Sequence, residues 1–345
     1  MTDLAGGPMA SRDDWIVVAG AGGFIGGHLM GDLVRQGYRH LRAVDIKPLD
    51  RWYQRFPEAE NLVLDLADRA SCDAAVRNAA AVYNLAADMG GMGFIESHKA
   101  LCMLSVLINT HLVLAARDAG VARFFFASSA CVYAHDKQVD PAVEGLAEED
   151  AYPAMPEDGY GWEKLFSERM CRHFAEDFGL TTRVARYHNV YGPLGTYDGG
   201  REKAPAAICR KVARATLAGR HEIEIWGSGE QTRSFTYIDD CVHGTLAIMA
   251  SPDIAFPINL GSSEKVTINQ LVDIVEAIAD VRLKRRYDLS APKGVNGRNS
   301  DNTRIKQLLG WEPSIPLRVG MERTYRWIHD ELRSGRSKDT VVNRA

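Results

Sequence analysis

The sequence has little cysteine, and none of it is paired. Its six residues, Cys72, Cys102, Cys131, Cys171, Cys209 and Cys241, form no CxxC motif. That dispersion argues against a zinc site and a disulfide framework, and for a reduced, cytoplasmic setting. An excess of one charge is also missing. Forty-one Lys+Arg against 45 Asp+Glu leave a formal −4, which argues against general binding to nucleic acid or an anionic membrane but allows a local basic pocket. No run approaches the ~18 consecutive apolar residues of a membrane span. The opening MTDLAGGPMASRDDW lacks the basic and apolar regions of a signal peptide. Residues 1–13 read as a flexible tail, as does the polar stretch from Arg333 to the end.

What is present is an ordinary globular composition, 46% hydrophobic and 25% charged over 345 residues, so disordered and fibrous classes are excluded and about two domains are expected. Apolar runs at Trp15–Ala19, Leu41–Asp45, Asn61–Leu64, Ala81–Ala86, Arg123–Ala127 and Thr182–Tyr187 predict strands. Helical spacing falls between them at Phe24–Gln36, Ala70–Ala79, Ile95–Ala119 and Gly159–Phe178. Strands alternating with helices predict an α/β fold with a doubly wound parallel sheet of the Rossmann type. After Tyr191 the texture becomes turn-rich. A sheet domain over 14–189 and a smaller domain over 190–332 follow, with Phe256–Leu260 a candidate to return to the main sheet.

Gly20, Gly23 and Gly26 form GxxGxxG, with Phe24 and Ile25 opening the helix that follows. Glycines there permit a tight turn and close approach of a pyrophosphate to the helix N-terminus. Asp45 ends the next strand, where a carboxylate binds a ribose diol and repels a 2′-phosphate, favouring NAD over NADP. Asp65 and Leu66 follow the third strand and are candidates to flank the adenine; a helix N-cap is the other reading of Asp65.

Tyr160 and Lys164 lie four apart, on one face of a helix. A tyrosine acts as a base near neutral pH only where a cation stabilises its phenolate. YxxxK alone is common, but Ser129 ends a predicted strand, on the edge where open α/β sheets bind ligands. With the Asn84-Leu85-Ala86-Ala87 strand end, these motifs occur in the order found in the extended short-chain dehydrogenase/reductase superfamily, which the chain resembles over residues 14–330. The resemblance implies Ser129 as the polarising hydroxyl, Tyr160 as acid–base, and Lys164 as its tuner and ribose anchor.

More specific segments are Asp88-Met89-Gly90-Gly91-Met92-Gly93-Phe94-Ile95, Cys131 two residues beyond Ser129, and Gly200-Arg201-Glu202-Lys203-Ala204-Pro205. With the segments around Asn189, Gln231–Phe235 and Gly297–Asn302, they resemble the branch of the superfamily that inverts C3 and C5 of GDP-mannose. That likeness implies Cys131 as the base and Lys203 as the acid, on opposite sugar faces. It also implies substrate contacts from Gly91, Met92, Ser129, Asn189, Glu202, Lys203, Lys211 and Gln231, and a homodimer built on the helices near 95–119 and 159–178. Arg233 and Arg298 are candidates to clamp the diphosphate, because guanidinium forks pair bidentately with phosphate oxygens. Another nucleotide-sugar epimerase, a 4,6-dehydratase, and a non-catalytic NAD sensor are the competing readings. Cys131 requires a cationic neighbourhood if its thiol is to ionise near neutral pH.

Overall fold

Trp15–Ala19 (β1) sends Ile16 and Val18 into one apolar cluster and Val17 and Ala19 into another. A strand whose two faces are both dry is buried between layers, which is why its apolar run is continuous and not alternating. In the computed structural model, which describes residues 10–335, β1 lies inside a seven-stranded sheet. The first six strands are β1, β2 (His40–Asp45), β3 (Glu60–Val63), β4 (Ala79–Asn84), β5 (Arg123–Ser129) and β6 (Thr181–Tyr187). Between them run α1 (Phe24–Arg35), α2 (Arg69–Ala75), α3 (Met92–Ser97), α4 (Lys99–Asp118) and α5 (Tyr160–Phe178).

The later elements are β7 (Val190–Tyr191), α6 (Ala204–Leu217), β8 (Glu222–Trp226), β9 (Thr232–Ser234), β10 (Thr236–Tyr237), α7 (Ile238–Ala250) and β11 (Ile258–Leu260). They continue through β12 (Lys265–Thr267), α8 (Ile268–Ala279), β13 (Lys284–Asp288), β14 (Gly297–Arg298), α9 (Thr303–Leu309) and α10 (Leu317–Ser334). The main sheet runs β11-β6-β5-β4-β1-β2-β3 with every pair parallel. The remaining strands form small sheets: β8 with β13, β9 between β12 and β14, and β7 with β10. β11 carries the chain back to β6, Ile258 opposite Ala185.

Strand order reverses at β1, so the carboxyl ends of β1 and β4 diverge and open a crevice, the usual ligand site of such sheets. Ala19 pairs with Val44 on one side and Asn84 on the other. That register puts Gly20, Asp45 and Leu85 around one mouth.

Two helices differ from the spacing-based expectation. The one foreseen over 95–119 is split at His98, whose φ −130° and ψ 43° are not helical. Its ring stacks on Phe94 at 4.5 Å and its Nδ1 bonds the Phe94 carbonyl, holding the break. The one foreseen over 70–79 stops at Ala75, because Asn78 at φ +60° turns the chain into β4. At the other end, α10 includes Arg333 and Ser334, which composition assigns to a tail; residues 1–9 and 336–345 of the two expected tails lie outside the described residues.

Candidate active site

The chain leaves β1 through Gly20 at φ +86°, a left-handed conformation that favours glycine. A Cβ on Gly26 would stand 2.2 Å from the Gly20 carbonyl oxygen, so only a bare backbone lets α1 sit this close to the turn. Gly23 is the N-cap of α1 and offers no side-chain cap. The first-turn N–H groups, those of Phe24 and Ile25 among them, therefore have no intrahelical acceptor and suit a pyrophosphate. Asp45 is buried at the end of β2, and its Oδ1 accepts the Lys47 N–H at 2.9 Å. Beside β3, the Asp65 carboxylate accepts the Ala67 N–H at 3.0 Å. Asp68, not Asp65, caps α2, accepting the Ser71 N–H at 2.8 Å. Leu66 is buried next to it. This glycine cradle and its carboxylate fit a dinucleotide with a free ribose diol.

β5 ends at Ser129, whose Oγ accepts the Cys131 N–H at 3.2 Å. Ser129 lies close enough to the Tyr160 hydroxyl to favour its ionised form, so the two groups that handle a substrate hydroxyl are neighbours. Burial pushes the Tyr160 hydroxyl well above its ordinary range, the charges of Cys131 and Glu163 add to this, and Ser129 opposes it. One turn on, Lys164 Nζ sits 5.5 Å from the Tyr160 ring centre and 4.7 Å from that of Phe126. A desolvated ammonium over aromatic faces is electrostatically held.

Cys131 faces Arg298 across the cleft, with Nη1 3.6 Å from Sγ. Arg298 also donates from Nε to Gln138 at 2.6 Å and from Nη2 to Glu157 at 2.5 Å. Glu157 is fastened in turn, its N–H bonded to the Cys131 carbonyl at 3.0 Å. The sequence asks for a cationic neighbourhood that lowers the thiol. In this structure the thiol is instead pushed up to about 11, because burial and the Glu157 charge outweigh Arg298. Lys203, half-buried at the N-cap of α6, moves the other way: burial lowers its ammonium, with Cys131 opposing and Arg298 adding. Both groups lie within one electrostatic cluster.

The glycine-rich segment after β4 and the segment before α6 lock together, and this places Lys203. Gly91 N–H bonds the Arg201 carbonyl at 3.0 Å, and a Cβ on Gly91 would lie 2.4 Å from the Glu202 carbonyl oxygen. Arg201 Nη1 pairs with Asp88 at 2.5 Å and its guanidinium lies 3.8 Å over Phe94. Met92 packs against Gly294. Glu202 turns back to the Gly200 N–H at 2.7 Å and Arg210 at 2.5 Å.

Other expected substrate contacts are gathered more loosely. Lys211 donates to the Glu224 carbonyl at 2.9 Å and lies 5.5 Å over Trp226. Gln231 donates to the Trp226 carbonyl at 2.9 Å, leaving its buried Oε1 without a partner among the described residues. Asn189, at φ +42°, donates to Ser234 O at 3.2 Å. Arg233, read from sequence as a diphosphate clamp, here ties β9 to the segment before β14. It donates to the carbonyls of Thr232, Lys293 and Val295 at 2.7, 3.0 and 2.5 Å. Sequence reasoning missed Glu157, Gln138, Glu163 and the Asp88–Arg201 pair. Glu163, inside the YxxxK segment, and Asp88 and Arg201, inside the two specific segments, had a positional signal; Glu157 and Gln138 had none.

A family model described as the NAD dependent epimerase/dehydratase family matches residues 16–261. The chain belongs to this family. Within it, GDP-mannose 3,5-epimerase 1 of Oryza sativa subsp. indica is 44% identical over 328 residues, covering 95% of this chain and 85% of that protein. GDP-mannose 3,5-epimerase of Arabidopsis thaliana is 42% identical over 329 residues, with the same coverages. The crystal structure of UDP-glucose 4-epimerase with UDP-glucose from Thermotoga maritima superposes with a TM-score of 0.81 at 26% identity, over 92% of this chain and 99% of that one. As an epimerase/dehydratase family member the chain takes NAD as its cofactor, in agreement with the glycine cradle and Asp45.

Proposed function

We propose that the protein epimerises GDP-mannose at C3 and C5, giving GDP-L-galactose and GDP-L-gulose. The observation that carries this reading is the shared cluster of Cys131, Lys203, Arg298 and Glu157 beside the neighbouring Ser129 and Tyr160. The turn of Gly20, Gly23 and Gly26, with Asp45, would hold NAD, which when bound would supply a reversible hydride acceptor for C4. Tyr160 accepts the O4 proton as the C4 ketone forms, while Ser129 donates to the same oxygen. The ketone acidifies C3–H and C5–H; Cys131 as thiolate removes the proton from one face and Lys203 as ammonium supplies one to the other. Tyr160 then returns its proton to O4.

Burial favours the neutral form of each partner, raising the thiol and lowering the ammonium. The thiol thereby rises past the ordinary lysine value of 10.5 while the ammonium falls from it, so the two acidities change order. Arg298 neutralises charge that develops on the substrate near Cys131. We assign residues 14–189 to cofactor binding and 190–332 to the nucleotide sugar.

Incubation with GDP-mannose in D₂O tests the function. Deuterium at C5, and at C3 where both centres turn over, is the expected result. A product inverted only at C4, without solvent deuterium, would replace this reading with 4-epimerisation.

We further propose a homodimer through α4 and α5, which pack side by side. Met103, Leu104 and Leu107 on α4 are 48%, 55% and 39% exposed, and Trp162 and Phe166 on α5 are 45% and 53% exposed. These residues recur at helical spacing and make one apolar face of a kind that pairs with itself. Among the described residues α4 alone is long and apolar enough to cross a membrane, yet one side of it is packed into the protein. Six free, buried thiols support a reducing cytoplasmic location. Leu104→Arg should give monomers in sedimentation; an unchanged dimer would place the interface elsewhere.

A further inference from the structure

Helix α5 carries two buried carboxylates, and they are treated differently. Glu168 receives both Nε and Nη2 of Arg186, at 2.9 and 2.7 Å, and the Ser128 hydroxyl at 2.5 Å. Glu163, with a side chain only 1% exposed, has no arginine. Its Oε1 accepts from Ser167 Oγ at 3.2 Å. Its Oε2 faces Lys164 Nζ at 3.5 Å and accepts no hydrogen bond among the described residues. An ionised carboxylate this deep needs a cation. The cation it has is the one the Tyr160 phenolate also needs.

We propose that Glu163 is a positioning residue that holds Lys164 and offsets part of its charge, setting the protonation balance of Tyr160. The chemical logic follows from the redox-neutral cycle. An enzyme that only oxidises gains from an unopposed lysine that keeps tyrosine ionised. One that must return the same proton to O4 within the turnover needs a phenol about as willing to give as to take. Three residues C-terminal to Tyr160, Glu163 lies on the same helix face and its charge opposes ionisation of the phenol.

Other charged or titratable groups bear on this site. Cys102 on α4 interacts with Glu163, Lys164, Asp88 and Arg201. Cys131, beyond β5, acts on Tyr160 in the same direction as Glu163. Burial raises Glu163 itself, with Lys164 and Ser167 opposing.

The inference rests on Tyr160 being the acid–base at O4, and the test separates the two. Tyr160 is titrated with NAD bound, as the phenolate difference absorbance between each enzyme and its Tyr160→Phe counterpart, alongside the pH profile of kcat. Glu163→Gln should move the Tyr160 titration about one pH unit lower, and the acidic limb of kcat with it. Ser167→Ala weakens the carboxylate's support and should move both in the same direction by less, whereas Glu163→Asp should restore the wild-type position. Should Glu163→Gln fail to fold, Ser167→Ala and Glu163→Asp decide. A Tyr160 titration that stays in place in the folded variants overturns the inference alone. Full turnover by Tyr160→Phe overturns the reading of Tyr160 and the inference with it.

Discussion

Arg298 holds Cys131 and Glu157 at once: one terminal nitrogen lies 3.6 Å from the thiol sulfur and the other 2.5 Å from the carboxylate. The guanidinium favours the thiolate and the carboxylate opposes it, with burial on the carboxylate's side, so the resting thiol is raised to about 11. Glu157 thus restrains Cys131, and the restraint is testable.

Glu157→Gln removes a negative neighbour from the thiol, so the thiolate fraction at a given pH should rise. Alkylation of Cys131 by iodoacetamide, followed by peptide mass analysis, should be about tenfold faster near neutral pH than in the native protein. Equal rates would show that Glu157 does not set thiol ionisation.

Arg298→Met strands Glu157, whose side chain is 9% exposed. Leaving that carboxylate without its cation should cost about 3–5 kcal/mol, measured by urea unfolding. Arg298→Met combined with Glu157→Gln should recover much of the loss, since no unpaired charge then remains buried. A double variant as unstable as the single one would mean that packing dominates.

Gly26→Ala places a Cβ 2.2 Å from the Gly20 carbonyl. The turn or α1 must shift, at a cost of about 1–3 kcal/mol, and the pyrophosphate cradle shifts with it. Calorimetry should show NAD affinity reduced at least about tenfold. Native affinity would show that the turn absorbs a methyl group elsewhere.

Every cysteine is raised in the folded protein, with burial the leading cause. The sign of the linkage is fixed. Below the ordinary thiol value of 9.0, folded and unfolded chains both keep their protons and the stabilisation is complete. As pH rises from there towards 11, the unfolded chain loses protons that the fold retains, and stability falls. Cys131 alone should contribute a loss of about 2–3 kcal/mol over that window. Urea midpoints measured from pH 7.5 to 10.5 should decline, and a Cys131→Ala variant should decline less.

Much of the main sheet was legible from residues 15–187, because parallel strands buried on both faces are continuous apolar runs and the helices between them keep their own period. The missed boundaries lay where a single residue leaves helical space, as at His98 and Asn78. The candidate site was legible wherever a motif coincides with a strand end, at Gly20, Asp45 and Ser129, or with a helix start, at Tyr160. It was illegible wherever partners are remote in sequence.

By itself, the sequence determined the class of fold, the cofactor and the chemical type of each motif residue, since glycine conformation, helical spacing and side-chain chemistry are local properties. Only the tertiary structure decided what those residues face. It brought Arg298 to Cys131 across 167 positions, turned Arg233 onto loop carbonyls, and left Glu163 with Lys164 as its cation. Acidities depend on burial and on neighbours supplied by distant segments, so they exist only once the chain has folded.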